Sequence, residues 1–240
     1  MIDIHSHIIP NVDDGSISQG CTLSLVSSAK IQGAITMFAT SHSEAFFRNA
    51  DAVYEAFHKM KTTLEGWFPE MQFYLGCEIF CQKNDMQKIL EHLADGRLPR
   101  MNNTQYVLTE FSPWISPEEA AFCLQELQHA KWIPIIAHPE RYVYLDTAFI
   151  HALRETGCKV QVNVCSLEEY GEIPLRDRAR DLIREELVDF LGSDCHNSFI
   201  RGVSIEQGMD WLQQNCSPRY LDAITHRNAT RLLINKEVLR

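Results

Sequence analysis

A chain of 240 residues has the length of one large domain, since α/β barrels commonly reach this size as a single unit, and residues 1–240 read as one domain. A hydrophobic fraction of 45% with 22% charged residues belongs to a protein able to bury a sizeable core, which excludes long disorder. The formal net charge of -10 excludes the broad basic footprint that nucleic acid or an anionic membrane requires, so any phosphate chemistry must draw on local positive charge, such as cations held among acids.

In chain order, short apolar runs at 2–5, 34–40, 72–79, 106–111, 133–137, 159–164 and 188–193 read as strands. Amphipathic stretches at 18–32, 50–67, 85–93, 117–131, 147–156 and 175–186 read as helices, with further helices from 204 to the end. Ser116 ahead of Pro117, Glu118 and Glu119 is a helix start, because proline suits the first helical position and acids suit the N-terminal dipole. The alternation predicts repeated βα units around a mostly parallel sheet, in one barrel-like α/β domain. The start, Met1-Ile2-Asp3-Ile4-His5, lacks the basic and long apolar regions of a secretion signal, and no run approaches membrane-spanning length. A cytoplasmic protein with no membrane insertion is expected. The eight cysteines contain no CxxC pair and lie in apolar segments, as reduced thiols do.

The histidines and acids fall in one pattern on this map. His5 and His7 end the first strand, His42 follows the second, Glu78 closes the third, Glu110 the fourth and His138 the fifth, while Asp194 and His196 close the seventh. In a parallel barrel all strand C-termini face one mouth, so these residues would converge there. A lone histidine at a strand end is more commonly a cap or a solvent-facing group; the repetition argues for a metal site. In extended chain, period-two alternation puts His5 with His7, and Asp194 with His196, on one face. Buried imidazoles and carboxylates are costly unless they are paired or hold a cation. Nitrogen and carboxylate donors without thiolate suit manganese, iron or zinc, and the candidates suffice for two or three divalent ions.

These segments, with Asp13-Asp14-Gly15, Ser41-His42, Gly76-Cys77-Glu78 and Ala137-His138-Pro139-Glu140-Arg141-Tyr142, resemble the polymerase and histidinol phosphatase (PHP) family over almost the whole chain. The opening residues 1–7, followed by Val12-Asp13-Asp14-Gly15, are similar to bacterial protein-tyrosine phosphatases encoded with capsule and exopolysaccharide genes. The resemblance implies a distorted seven-stranded, TIM-like (β/α) barrel with a trinuclear, manganese-dependent site at the strand C-terminal mouth. It also implies a phosphotyrosine-bearing protein tail as substrate, that of a bacterial tyrosine kinase. By the family pattern His5, His7, Glu78 and Asp194 would hold one ion; Glu78 would bridge to a second held by Glu110 and His138; Asp14, His42 and His196 would hold the third. Either Asp13 or Asp14 could turn inward, the other capping the next helix; Asp14 is preferred because it directly precedes Gly15. Other branches of the family place histidine where Glu110 stands.

Arg141 and Arg201 should lie near the same mouth, and the resemblance points to them as the phosphate-binding pair; the plainer reading pairs them with acids such as Glu140. Phe46, Phe47, Trp114, Tyr142 and Tyr144 sit just beyond strand ends, as pocket walls or as packing. Cys195 and Arg201 satisfy the CX5R spacing of cysteine phosphatases, but the interval contains no glycine and Asp194 opposes a thiolate. The expected mechanism is in-line attack by a metal-bound hydroxide on a phosphomonoester, with His42 available as proton donor. The competing readings are a small-molecule phosphatase, acting for example on histidinol phosphate, and a metal-bearing module that docks a kinase tail without turnover.

Overall fold

The computed structural model describes residues 1–169, 172–197 and 201–238. Among these the apolar runs form eight short strands: β1 (Ile2–Ser6), β2 (Thr36–Ala39), β3 (Gln72–Leu75), β4 (Glu78–Phe80), β5 (Tyr106–Glu110), β6 (Ile133–Ala137), β7 (Lys159–Asn163) and β8 (Phe190–Gly192). They alternate with α1 (Gln19–Ile31), α2 (Ser43–Trp67), α3 (Met86–Asp95), α4 (Pro117–His129), α5 (Thr147–Glu155) and α6 (Ile173–Arg184), and α7 (Glu206–Asn215), α8 (Pro218–Asp222) and α9 (Asn228–Leu233) follow.

Every ladder is parallel, in two sheets ordered β1-β2-β3 and β4-β5-β6-β7-β8. The sheets meet through single bridges. At one seam Ser6 pairs with Cys195, His7 N donates to Cys195 O (2.9 Å) and Asp194 N donates to His5 O (2.8 Å). At the other, His42 pairs with Glu78, whose N donates to Thr40 O (3.2 Å). The expected α/β architecture therefore holds, with seams of isolated bridges in place of unbroken ladders. The strand expected at 72–79 is broken at Gly76 and Cys77: its first half pairs with β2 and its second with β5. A Cβ at Gly76 would lie 2.6 Å from Met101 Sδ, so only glycine lets the chain pass at this break.

The strands are buried on both faces, which is why they read as continuous apolar runs. Tyr106, Leu108, Ile135 and Ala137 belong to one core cluster, closed from below by Ala229 and Leu232 of α9. Val107, Ile136, Val160, Val162 and Leu191 belong to the other, which packs against helices. Helix starts follow their caps. Ser116 Oγ accepts from Glu119 N with Pro117 in the first turn, and Ser18 Oγ accepts from Cys21 N. The helix expected from residue 50 instead begins at Ser43, directly after His42. Asn49, at φ -164 and ψ 89, kinks it and interrupts the helical pattern in the sequence.

Candidate metal centre

Three histidines are fixed by their Nδ1 atoms so that Nε2 points into one space. His5 Nδ1 lies 2.9 Å from Gln161 Oε1, His7 Nδ1 lies 3.1 Å from Asp13 Oδ2, and His196 Nδ1 lies 2.9 Å from the Asp194 carbonyl. Each partner can only accept, so each Nδ1 carries the proton and each Nε2 keeps its lone pair. For His5 the orientation is set by a chain of amides. Asp194 Oδ2 can only accept, so it takes the amide of Asn163 (3.0 Å); Asn163 Oδ1 then takes the amide of Gln161 (2.8 Å), which leaves Gln161 Oε1 facing His5. Gln161 and Asn163 are both fully buried, two residues apart on β7, on the face opposite Val160 and Val162.

Glu78 stands at the centre. Its Oε1 lies 2.8 Å from His138 Nε2 and 3.2 Å from His5 Nε2, and its Oε2 lies 3.1 Å from His42 Nδ1 and 3.2 Å from His7 Nε2. The Nε2 atoms of His5 and His7 face each other at 3.3 Å. Asp194 divides its two oxygens: Oδ2 is held by Asn163, Arg141 (2.7 Å) and Arg201 (3.1 Å), while Oδ1 faces His5 (3.6 Å) and His7 (3.5 Å). Four groups emerge whose donor atoms could surround an ion: His5, His7 and Asp194; His5, Glu78 and His138; His42, Glu78 and Glu110; and His7, Asp14, His42 and His196.

The donor set fits divalent cations. Glu78 Oε2 and His196 Nε2 are buried without a hydrogen-bond partner, and lone pairs converge on shared points, an arrangement that is costly unless a cation takes them up. The buried carboxylates demand positive charge. Burial alone lowers the His7 imidazole, but Asp13 and Glu78 outweigh it and push it up to about 10. Burial also opposes charge on Glu78, yet His5 and His138 hold its carboxyl well below the usual range. His196 goes the other way, to about 3, through burial and the neighbouring His7.

Of the two aspartates, Asp14 reaches the cluster, with Oδ1 at 3.3 Å from His42 Nε2 and 3.4 Å from His196 Nε2. Asp13 is buried behind it, accepting from His7, from the His42 backbone N (3.1 Å) and from Gly15 N (3.0 Å). Gly15 is required by this packing, since a Cβ there would lie 2.4 Å from His7 O. His42 belongs to two groups through different ring nitrogens. Glu110 is nearer His42 (3.5 Å) than His138 (3.9 Å), so by distance it groups with His42, where the family pattern had set it beside His138.

A family model for capsular polysaccharide synthesis, CpsB/CapC, matches residues 1–234. The chain belongs to the CpsB/CapC family. Tyrosine-protein phosphatase CpsB of Streptococcus agalactiae is 30% identical over 244 residues, covering 98% of this chain and 99% of its own length. Tyrosine-protein phosphatase YwqE of Bacillus subtilis is 29% identical, covering 100% of this chain and 94% of its own. A crystal structure from work on YwqE of Bacillus subtilis and CpsB of Streptococcus pneumoniae, described as unique metal-dependent tyrosine phosphatases, superposes with a TM-score of 0.87 at 29% identity over 100% of this chain and 97% of its own. The expected branch is thereby borne out, and with it the expectation of divalent metal.

Within this CpsB/CapC site both arginines turn inward. Arg141 Nη1 meets Asp194, not Glu140, and Arg201 meets Asp194 and, at 3.6 Å, Asp14. Glu140 is itself buried and accepts from Asn163 N (3.0 Å) and Ser166 Oγ (2.9 Å), fastening the turn after β6 to β7. Other expectations need correction. Asp194 does not sit in extended chain: at φ 51 it is left-handed, as is His138 at φ 33, and this bend rather than simple alternation turns Asp194 inward. Phe46 and Tyr142 are core residues, 3% and 1% exposed, and the Tyr142 hydroxyl accepts from Phe111 N, so neither is a pocket wall. Phe47 lies under the Lys88 ammonium, 3.9 Å from its ring. Cys195 is fully buried in the helix-facing core, where burial pushes its thiol up, and residues 198–200 of its CX5R interval lie outside the described residues. Among the described residues no helix is long and apolar enough to cross a membrane.

Sequence reading missed Asp13 as an orienting group, and it missed Gln161, Asn163 and Glu140. The signal for two of them was present: in Lys159-Val160-Gln161-Val162-Asn163 amides alternate with valines on a strand buried on both faces, which polar residues tolerate only when partnered.

Proposed function

We infer that the chain is a metal-dependent protein-tyrosine phosphatase of capsule or exopolysaccharide synthesis. The observation that supports this most is the convergence of five imidazoles and four carboxylates on one buried space, with two arginines aimed at it. In our reading His5, His7, Glu78 and Asp194 hold one ion, Glu78, Glu110 and His138 a second, and Asp14, His42 and His196 a third. Manganese is the first choice, ahead of iron or zinc, because carboxylates are abundant and thiolates absent from the donor set. Divalent ions there supply Lewis acidity toward phosphoryl oxygens and acidify water.

The protein side chains supply the rest. Arg141 and Arg201 fork onto phosphate oxygens and offset the charge that grows in the transition state. His42, 22% exposed, is the imidazole a substrate reaches first, and it can hand a proton to a poor leaving oxygen. A departing phenolate needs little such help. The proposed substrate is a phosphotyrosine-bearing protein tail, that of a bacterial tyrosine kinase, met in the cytoplasm. Elemental analysis combined with release of phosphate from a phosphotyrosine peptide and from histidinol phosphate, each with added manganese, tests the reading. Preference for histidinol phosphate would move the protein to small-molecule chemistry, and no release from either would leave a binding module.

A further inference from the structure

Asp14, His42 and Glu110 also line an open cleft of about 990 Å³, whose apolar lining includes Phe80 and Ile17. Phe80 ends β4, two residues after Glu78. The intervening Ile79 packs in the helix-facing core, so alternation puts Phe80 on the same face as Glu78, and its backbone partner across the ladder is Glu110. Its ring is half-buried yet belongs to neither hydrophobic core cluster, and it stacks on no other aromatic among the described residues. Ile17 is 71% exposed, on the loop that carries Asp14 and directly before Ser18, the residue that caps α1. An aromatic and a branched aliphatic side chain, left outside the core at the edge of a cluster of charges, are apolar surface that folding does not use.

We propose that Phe80 and Ile17 form the slot for the phenyl ring of the substrate phosphotyrosine, and so set a preference for aryl over alkyl phosphomonoesters. The inference rests on the phosphatase reading above and specifies the substrate class of that site. The occupant follows from continuity: the same cleft reaches the residues assigned to metal, so a phosphoryl group held there leaves its ester substituent facing Phe80. A flat ring gains contact from both walls, whereas a short alkyl chain spans neither. The other exposed aromatic pair, Trp114 and Tyr144, with ring centroids 6.3 Å apart, lies on the loops after β5 and β6, outside this lining.

The test compares Phe80→Ala, Ile17→Ala and the double variant with wild type at matched metal content and unchanged melting temperature. Two quantities are read: kcat/KM for a phosphotyrosine peptide relative to glycerol phosphate, and the dissociation constant of the same peptide carrying a non-hydrolysable phosphonate in place of the phosphate. The expected result is a fall of at least tenfold in aryl preference for Phe80→Ala, carried mostly by KM, with a matching weakening of phosphonate binding and a smaller effect for Ile17→Ala. An unchanged dissociation constant, or equal losses on both substrates, would overturn the slot. So would the same tenfold effect appearing in Trp114→Ala or Tyr144→Ala instead. If wild type releases no phosphate from phosphotyrosine, the phosphatase reading fails and takes this inference with it; if wild type is active and the variants keep its preference, the slot alone fails.

Discussion

Replacing Gln161 by leucine, a side chain of similar volume, should weaken metal binding without touching any residue assigned to metal. The substitution removes the acceptor 2.9 Å from His5 Nδ1 and the donor 2.8 Å from Asn163 Oδ1. Two buried polar atoms are then left unpaired, at about 1–3 kcal/mol each, so the metal-free protein should lose about 2–6 kcal/mol of stability. The effect on the metal is separate. His5 is no longer held in the tautomer that offers Nε2, and losing such an orienting partner typically costs about 10–100-fold in affinity. Manganese titration by calorimetry, and phosphotyrosine hydrolysis measured against manganese concentration, should both shift by that factor, with activity largely recovered at saturating metal. Gln161→Glu is the control, since a carboxylate still accepts from His5 and should keep the affinity. A folded Gln161→Leu variant with the wild-type midpoint would refute the amide chain as the device that orients His5.

Three further outcomes follow from the same geometry. Arg141→Ala should keep its metals and lose about 10²–10³ in kcat/KM, the usual cost of one donor to a developing anion; normal turnover would show that Arg141 does not anchor phosphate. Gly15→Ala must push the loop away from His7 O, 2.4 Å from the new Cβ, so elemental analysis should find metal content reduced, and full occupancy would contradict the tight packing behind Asp14. Cys195→Ser should retain substantial activity while melting earlier, because it puts a hydroxyl into an apolar environment; complete inactivation with metal intact would restore the thiolate as a nucleophile.

The parallel α/β architecture was legible because strands buried on both faces leave unbroken apolar runs, and because parallel connections need the helices that separate them. The nine donor residues were legible for a related reason: a histidine or acid ending such a run has no solvent to turn to. What the sequence hid was conformation within single residues. Nothing in Ala137-His138-Pro139 or Ser193-Asp194-Cys195 announces a left-handed turn at His138 or Asp194, because neither is a glycine. The choice between Asp13 and Asp14 depended on which carboxylate faces His7 Nδ1 and which faces the cleft, a difference set by the close approach at Gly15. The roles of Gln161 and Asn163 depended on contacts to His5 and Asp194 across the sheet, at separations of 156 and 31 residues.

The same departures from regular structure account for why the donors meet at all. An unbroken third strand would keep Glu78 in register with β2 along its length; the break at Gly76 passes the chain to β5 and brings the Glu78 carboxylate within 3.2 Å of four imidazoles. Left-handed residues at the ends of β6 and β8 each cost on the order of 1–3 kcal/mol, and they persist where surrounding bonds over-determine them. Arg141, Arg201 and Asn163 do this for Asp194, and Glu78 does it for His138. Strain at two strand ends and a gap in a third are therefore what convert a ring of parallel strands into a space lined with lone pairs. A variant that relieved them with regular strand geometry would gain backbone stability and lose the metal.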